Sequence, residues 1–159
     1  MLKATGSIVG GTPSLKIKLQ GVFSKDPAEF VGIVDTGFSG FISIPIIQAF
    51  PLGLPLYGTT NVTLADGQTQ SKLIAQAKAT IGGQTELGLV ILEPSSTEVL
   101  IGMDFLRRFN CALFVTSNGI ALLDETEVQK LIKKTAEEAE ARAKAKPPEA
   151  LPKPEEEKS

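Results

Sequence analysis

Ile-Val-Asp-Thr-Gly-Phe-Ser-Gly-Phe-Ile, at residues 33–42, joins two apolar runs through a short polar segment. The β-branched residues before Asp35 favour a strand, and the Thr-Gly and Ser-Gly pairs after it favour a tight turn. The apolar residues at 41–44 favour a second strand. The pattern therefore predicts a strand, a turn and a strand, with Asp35 at the end of the first strand.

Asp35 is the residue of this segment that could carry chemistry. Burying an unpaired ionised carboxylate costs several kcal/mol or more, so an Asp at the end of a buried strand needs a partner. A second carboxyl group is one such partner, because two carboxyl groups held together share a proton and titrate separately. The ionised group can then take a proton from water while the protonated group donates to a substrate carbonyl.

Three segments, in this order, resemble parts of the retropepsin-like (retroviral-type, clan AA) aspartic proteases. Asp-Thr-Gly at residues 35–37 resembles the active-site turn of that family. Asp-Gly at residues 66–67 is typical of a two-residue hairpin turn and lies where the family carries its flap. Val-Leu-Ile-Gly at residues 99–102 resembles the strand that supports the Asp turn from behind. Phe38 extends the first motif to Asp-Thr-Gly-Phe, which resembles a prokaryotic branch of the family, whereas retroviral members usually have Ala there.

The resemblance implies an all-β, retropepsin-like, closed or nearly closed barrel with one or two short helices. It also implies an aspartic endopeptidase that acts as a homodimer on a peptide or protein substrate. Asp35 from each chain would activate one water, and no metal or organic cofactor is implied. By position, the resemblance makes Asp35 catalytic, gives supporting roles to Thr36, Gly37, Ser39, Ile101 and Gly102, and places Phe38, Asp66 and Gly67 against the substrate.

Several of these residues also have a simpler interpretation. Asp35 could form only a local turn by hydrogen bonding to nearby backbone. Ser39 could donate to the Asp35 carboxylate or belong only to the turn. The Phe38 ring could narrow the cleft or pack under the two carboxyl groups, and residues 66–67 could form a plain hairpin turn. Asp104 is expected to cap the short helix that follows the apolar-Gly strand.

The composition excludes several other kinds of active site. The chain of 159 residues has no histidine, which removes Ser–His and Cys–His nucleophiles and His-ligated zinc. One Asp-Thr-Gly occurs in a chain too short for two lobes, so a pair of catalytic carboxylates requires two identical chains. Cys111, the single cysteine, lies in an apolar run and is expected to be a small core residue rather than a reactive thiol.

Charge and hydropathy indicate which partners the chain is expected to have and in which compartment of the cell it is expected to lie. The net charge is −2 and the pI is near 5.3, which gives no reason to expect nucleic acid or a membrane as a partner. A single cysteine suits a reducing compartment. The N-terminal residues lack the apolar core of a signal peptide, and no apolar run approaches the roughly 20 residues that span a bilayer. The chain is therefore expected to be cytoplasmic.

Three parts are expected along the chain. They are a protease domain at residues 1–123, a charged helix at 124–146 and a disordered Pro- and Glu-rich tail at 147–159. Within the domain, residues 1–13 are expected to form a loosely held edge strand and a turn. Residues 103–109 are expected to form the short helix after the apolar-Gly strand.

Two hairpins and one alternating strand are predicted with particular residues. Leu15, Ile17 and Leu19 alternate with polar residues, which predicts a strand buried on one face. The Gly-Gly pair at residues 82–83 predicts a second two-residue hairpin turn, besides that at residues 66–67.

Two other functions remain as alternatives to the peptidase. A non-catalytic dimeric module could use the same groove to hold extended peptides by strand addition, and Phe38 and the short flap favour it. A dimerising scaffold could instead act through the charged tail. Replacement of Asp35 by Asn separates the peptidase from the binding module, and truncation after Leu123 separates the scaffold from both.

Overall fold

The computed structural model describes residues 1–145. Within that range the strands are β1 (Leu2–Val9), β2 (Thr12–Gly21), β3 (Ala28–Val34), β4 (Ile42–Pro45), β5 (Leu56–Thr63), β6 (Thr69–Ile81), β7 (Gln84–Glu93), β8 (Val99–Ile101), β9 (Cys111–Thr116) and β10 (Gly119–Asp124). The helices are α1 (Ile46–Ala49), which continues into a 3₁₀ turn at Phe50–Leu52, α2 (Met103–Arg108) and α3 (Glu125–Ala145).

Six of the strands close into a barrel. β2, β3, β8, β4, β7 and β6 are hydrogen-bonded in that order, and β6 pairs again with β2, where Leu19 lies opposite Ala79. The β3–β8 and β4–β7 pairs are parallel, and the others in the ring are antiparallel. This architecture confirms the predicted all-β closed barrel with a few short helices.

The barrel interior is filled by one face of each strand. Leu15, Ile17 and Leu19 of β2 are at most 1% exposed, while Lys16 and Lys18 between them are exposed. The predicted alternation of β2 is therefore confirmed. The largest fully buried side chains of the described residues come from several elements and include Phe105, Phe109, Leu15, Ile17, Leu19, Ile42, Ile44, Ile101 and Leu122.

Beyond β2 the sheet continues through β1, β10 and β9. The expectation that residues 1–13 form an edge strand was wrong. β1 is not an edge strand, because its first half pairs with β10 and its second half with β2. The turn from β1 to β2 is the Gly-Gly pair at residues 10–11, whose φ angles of 56° and 79° suit glycine. The partner strand β10 lies far along the sequence, so no local pattern around β1 could indicate it.

The two hairpin turns differ. Gly82 and Gly83 have φ angles of 52° and 80° and connect paired Ile81 and Gln84, which confirms the predicted two-residue turn. At the other hairpin only Gly67 has positive φ, and the loop closes between Leu64 and Gln68. It therefore has three residues rather than two, because a two-residue turn of the Asp-Gly type needs positive φ at both positions.

α3 begins with a side-chain cap from Asp124. The Oδ1 atom of Asp124 accepts the backbone N–H of Glu127 at 3.2 Å. Val128 is buried, whereas Leu131, Ile132 and the rest of the helix are exposed. Of the described helices, none is both long and apolar enough to cross a membrane. The tail predicted to be disordered, residues 147–159, lies outside the described residues.

Candidate active site

Strand β3 brings Asp35 to one end of the barrel. Val34 points into the core and is 5% exposed, whereas Val31 and Ile33 lie on the opposite face and Asp35 continues that alternation. The backbone N–H of Asp35 donates to the carbonyl oxygen of Ile101 at 2.9 Å. Asp35 is therefore half-buried at the end of a barrel strand, held by its backbone to a neighbouring strand.

The Asp35 turn is closed by local hydrogen bonds. The N–H of Gly37 donates to Oδ1 of Asp35 at 2.9 Å, and the N–H of Phe38 donates to the Asp35 carbonyl at 3.2 Å. Within residues 1–145, Oδ2 accepts no hydrogen bond, and the exposed Ser39 hydroxyl does not donate to the carboxylate. Of the two roles considered for Ser39, the structure supports membership of the turn.

Strand β8 supports the turn from behind, as expected for residues 99–102. It lies between β3 and β4, and it pairs with β3 in parallel and with β4 in antiparallel orientation. The chain after β8 then crosses the turn and donates three backbone hydrogen bonds to it. Their donors are the N–H groups of Gly102, Met103 and Asp104, and their acceptors are the carbonyls of Phe41 (3.1 Å), Phe38 (2.8 Å) and Gly40 (3.1 Å).

Gly102 is needed for this crossing because the two backbones approach closely. A Cβ atom at Gly102 would overlap the Gly40 carbonyl oxygen and would lie 2.6 Å from Cδ1 of Phe38. The Phe38 ring also covers Gly40, where an added Cβ would lie 2.7 Å from Cε2. Phe38 therefore packs on Gly40 of its own turn and on Gly102 of the crossing segment.

Asp104 does not cap α2, and that expectation is corrected. The N-cap residue is Gly102, and Asp104 lies in the first turn of the helix. Its carboxylate instead pairs with Arg107 and with Nε of Arg108, the latter at 2.7 Å. Partial burial opposes ionisation of Asp104, but hydrogen bonds from Arg108 and Arg107 outweigh it, so the pKa of Asp104 lies below its usual value. The i,i+3 and i,i+4 spacing of these residues could have indicated the pairs.

A cleft opens directly beside the Asp35 turn. Its volume is about 630 Å³. Thr36 and Ser39 of the turn line one side, and Ala112 and Leu113 of β9 line another. Cys111, at its base, is 6% exposed, and its thiol donates to the Phe109 carbonyl at 3.4 Å, which confirms the expected core position. Burial raises the pKa of the Cys111 thiol.

The predicted substrate contacts at residues 66–67 form no hydrogen bond with this cluster within the described residues. They form the exposed tip of the β5–β6 hairpin, where Gly67 N–H donates to the Leu64 carbonyl at 2.9 Å and Gln68 N–H donates to Oδ1 of Asp66 at 2.9 Å. No hydrogen bond within residues 1–145 joins the tip to the Asp35 turn. The structure thus brings residues 35–39 together with residues 101–102.

The same end of the barrel contains groups that the motifs did not indicate. The guanidinium of Arg108 lies 5.9 Å from the centre of the Phe41 ring, at the end of the turn, and donates to the Leu87 carbonyl at 3.3 Å. Within the described part of the chain, no three Cys, Asp or Glu side chains come close enough together to hold a metal ion. The turn itself presents the Asp35 carboxylate, the hydroxyls of Thr36 and Ser39, and backbone N–H groups.

Solved structures similar to this chain include a retropepsin-like aspartic protease from Rickettsia conorii. That match has 18% identity, covers 76% of this chain and 89% of the Rickettsia chain, and has a TM-score of 0.49. A foamy viral protease-reverse transcriptase, solved with an RNA/DNA hybrid, matches at 20% identity with a TM-score of 0.41. That match covers 60% of this chain and only 12% of the viral chain. No protein-family model and no curated protein matches this chain. At such low similarity, a function can be inferred only from the geometry of the Asp35 turn.

Proposed function

We propose that this protein is an aspartic endopeptidase whose active site forms between two copies of the chain. The observation that carries the proposal is the Asp35 turn: a half-buried carboxylate at the end of β3, with the chain after β8 bonded across its backbone. Hydrogen bonding between fixed backbone groups restrains the position of the carboxylate, which general acid–base chemistry requires. In this proposal residues 1–123 form the peptidase domain, located in the cytoplasm.

The second copy supplies the second carboxylate. One Asp-Thr-Gly occurs in the chain, and a two-fold axis would place Asp35 of each copy beside the other. Two such carboxyl groups share one proton. Thr36 is exposed next to Asp35, so its hydroxyl is available to donate to the partner's backbone. Ser39, Phe38, Ile101 and Gly102 support the turn, and the hairpin tip at residues 66–67 would close over a bound peptide.

The reaction then needs water alone as co-reactant. The ionised carboxylate takes a proton from water as the water oxygen bonds to the peptide carbonyl carbon. The protonated carboxyl group gives its proton to the carbonyl oxygen, which forms a neutral tetrahedral diol. The C–N bond then breaks, the nitrogen receives a proton from one carboxyl group, and a hydroxyl proton of the diol returns to the other carboxylate. No covalent bond to the protein forms.

Peptide cleavage by wild type and Asp35→Asn between pH 3 and 7 tests this proposal. The Asn amide oxygen can still accept the Gly37 N–H, so the turn is expected to persist while cleavage falls by at least about 100-fold. Asp26→Asn, in the exposed turn between β2 and β3, is the matched control and should retain cleavage. Product ends identified by mass spectrometry would define the side-chain preference. Equal cleavage by wild type and Asp35→Asn would exclude the mechanism.

A peptide-binding module is the second candidate, and the free edge of β5 favours it. Within residues 1–145, β5 pairs with β6 on one side only, and its sequence from Leu56 to Thr63 contains no charged residue. Such an edge can accept an extended peptide as an added strand. Peptide binding that survives Asp35→Asn, without cleavage by the wild type, would favour the module.

A further inference from the structure

Helix α3 is held to the rest of the chain through its first turn. It contacts β9 and β10, and Val128 is its buried residue within residues 1–145. Every other residue from 125 to 145 is exposed. Most of the stability of a protein helix comes from the packing of an apolar face. For α3, which is about 30 Å long, that packing is confined to one end.

One face of α3 carries apolar side chains that no other part of residues 1–145 buries. Leu131 and Ile132 are each 56% exposed. At the helical period they share a face with Val128, Thr135 and Ala139. The Thr135 hydroxyl donates to the Leu131 carbonyl at 2.9 Å, so covering this face leaves that hydroxyl with its partner. Exposed apolar side chains grouped on one face are typical of a surface that another protein covers.

The charges of α3 alternate in blocks along the helix. Residues 130–134 contain three lysines, and residues 135–140 contain three glutamates. Outside these blocks, residues 125–129 contain two glutamates, and residues 141–145 contain one arginine and one lysine. The order of signs is therefore reversed when the helix is read from its other end. An antiparallel pair of two copies places each block opposite a block of the other sign, whereas a parallel pair in register places like charges together.

Ion pairs within α3 leave most of these charges available to a second helix. Within residues 1–145, the ion pair between two residues of α3 is Lys134–Glu138, at 4.0 Å and with both side chains exposed. An exposed ion pair contributes little to stability. Lys130, Lys133 and Glu137 form no ion pair with any of the residues that the structure describes. A second helix can therefore pair with them without breaking a contact.

We propose that α3 pairs antiparallel with α3 of a second copy, with the centre of the pair close to Thr135. Leu131 of one copy then lies opposite Ala139 of the other, and Lys133 lies opposite Glu137. Both relationships occur twice, because two identical antiparallel helices are related by a two-fold axis. The pairing covers the apolar face and matches the charges beside it. It lies outside residues 1–123 and does not rest on the proposed peptidase.

Sedimentation equilibrium of two charge-reversed variants of the full chain tests the pairing. Lys133→Glu/Lys134→Glu makes the centre of α3 acidic, and Glu137→Lys/Glu138→Lys makes it basic. Each variant alone should raise the dissociation constant of self-association by at least about 10-fold, because attraction between the two helices becomes repulsion. An equimolar mixture should return the dissociation constant to within about 3-fold of the wild-type value, since the acidic helix attracts the basic one.

The matched control is Lys16→Glu/Lys18→Glu, which makes the same change in net charge on exposed residues of β2. It should change the dissociation constant by less than about 3-fold. Circular dichroism of all the variants checks that they fold. The mixture separates contacts between chains from contacts within one helix: both reversed variants lose the i,i+4 attraction between lysine and glutamate, and mixing cannot restore it.

Three results would overturn the pairing. They are a wild type that stays monomeric at every concentration measured, reversed variants that associate as well as the wild type, and a mixture that associates no better than its components. Peptide cleavage, measured alongside, separates this inference from the proposed function. Association through α3 without cleavage rejects the peptidase alone, whereas cleavage by a wild type whose association the reversals do not change rejects the α3 pairing alone.

Discussion

The backbone N–H of Asp35 donates to the carbonyl oxygen of Ile101 at 2.9 Å. This bond joins the first residue of the Asp turn to the last residue of β8. The next residue, Gly102, continues the connection through its N–H to the Phe41 carbonyl at 3.1 Å. The position of the carboxylate is thus restrained by a strand whose last residue lies 66 residues further along the chain (101 − 35). Changes at Gly102 should therefore affect the Asp turn as strongly as changes within it.

Gly102→Ala should lower the free energy of unfolding by about 1–3 kcal/mol, because the added methyl overlaps the Gly40 carbonyl and the Phe38 ring. Urea unfolding followed by circular dichroism measures the change. Gly37→Ala is the matched control, since the added Cβ would meet only the Asp35 carboxylate oxygen, at 3.2 Å. Equal losses for the two variants would contradict the close approach at Gly102.

Phe38→Ala should destabilise the fold by about 1–2 kcal/mol, because the half-buried ring packs on Gly40 and Gly102. The comparison is Phe23→Ala, which removes a ring that is 86% exposed and should change stability by less than about 0.5 kcal/mol. Both are measured by urea unfolding. A ring that served only the substrate cleft would give Phe38→Ala the stability of the wild type.

Asp104→Asn should destabilise the protein by about 1 kcal/mol at neutral pH, since its carboxylate pairs with two arginines that are partly exposed. The pKa of Asp104 is lowered in the folded state, so its contribution is present above the unfolded pKa and is lost as pH falls through the folded value. The difference between wild type and variant should therefore begin to shrink as pH falls below the usual Asp pKa of about 3.9 and should go on shrinking as pH falls further. A difference that stays constant down to pH 3 would argue against the ion pairs.

Cys111 should react with iodoacetamide at pH 8 at least about 100-fold more slowly in the native protein than in urea, because burial both hides the thiol and raises its pKa. Ser117→Cys, in the exposed β9–β10 turn, adds a second thiol to the same chain as an internal control. Peptide mapping after labelling distinguishes the two sites. Native Cys111 that labels as fast as Cys introduced at 117 would contradict its core position.

Local sequence patterns predicted the parts of the fold that neighbouring residues determine. The alternation of Leu15, Ile17 and Leu19 predicted the buried face of β2. The Gly-Gly pair at 82–83 predicted the turn between β6 and β7. The Asp-Gly pair at 66–67 has the same signature, yet its loop includes Ala65, since only Gly67 adopts positive φ. Turn length depends on strand register, and the dipeptide alone does not determine register.

Contacts between distant segments were predictable only through the resemblance to a family. The support of the Asp turn by residues 101–102 came from that resemblance, and the hydrogen bonds of Gly102 agree with it. The pairing of Asp104 with Arg107 and Arg108 was missed, because Asp near a helix start also suits a cap. The position of the Phe38 ring was left open, since the space it occupies is created by glycines on two separate segments.

The pairing of β1 with β10 has a consequence for how the chain folds. Leu2 lies opposite Leu123, so this contact closes a loop of nearly the whole domain. Contacts of such high sequence separation slow folding, because the entropy of loop closure is lost before the contact forms. During synthesis the strands of the barrel up to Ile101 are made first, while β1 stays without its β10 partner. β1 is thus made before β2–β10 but is among the last of these strands to be completed.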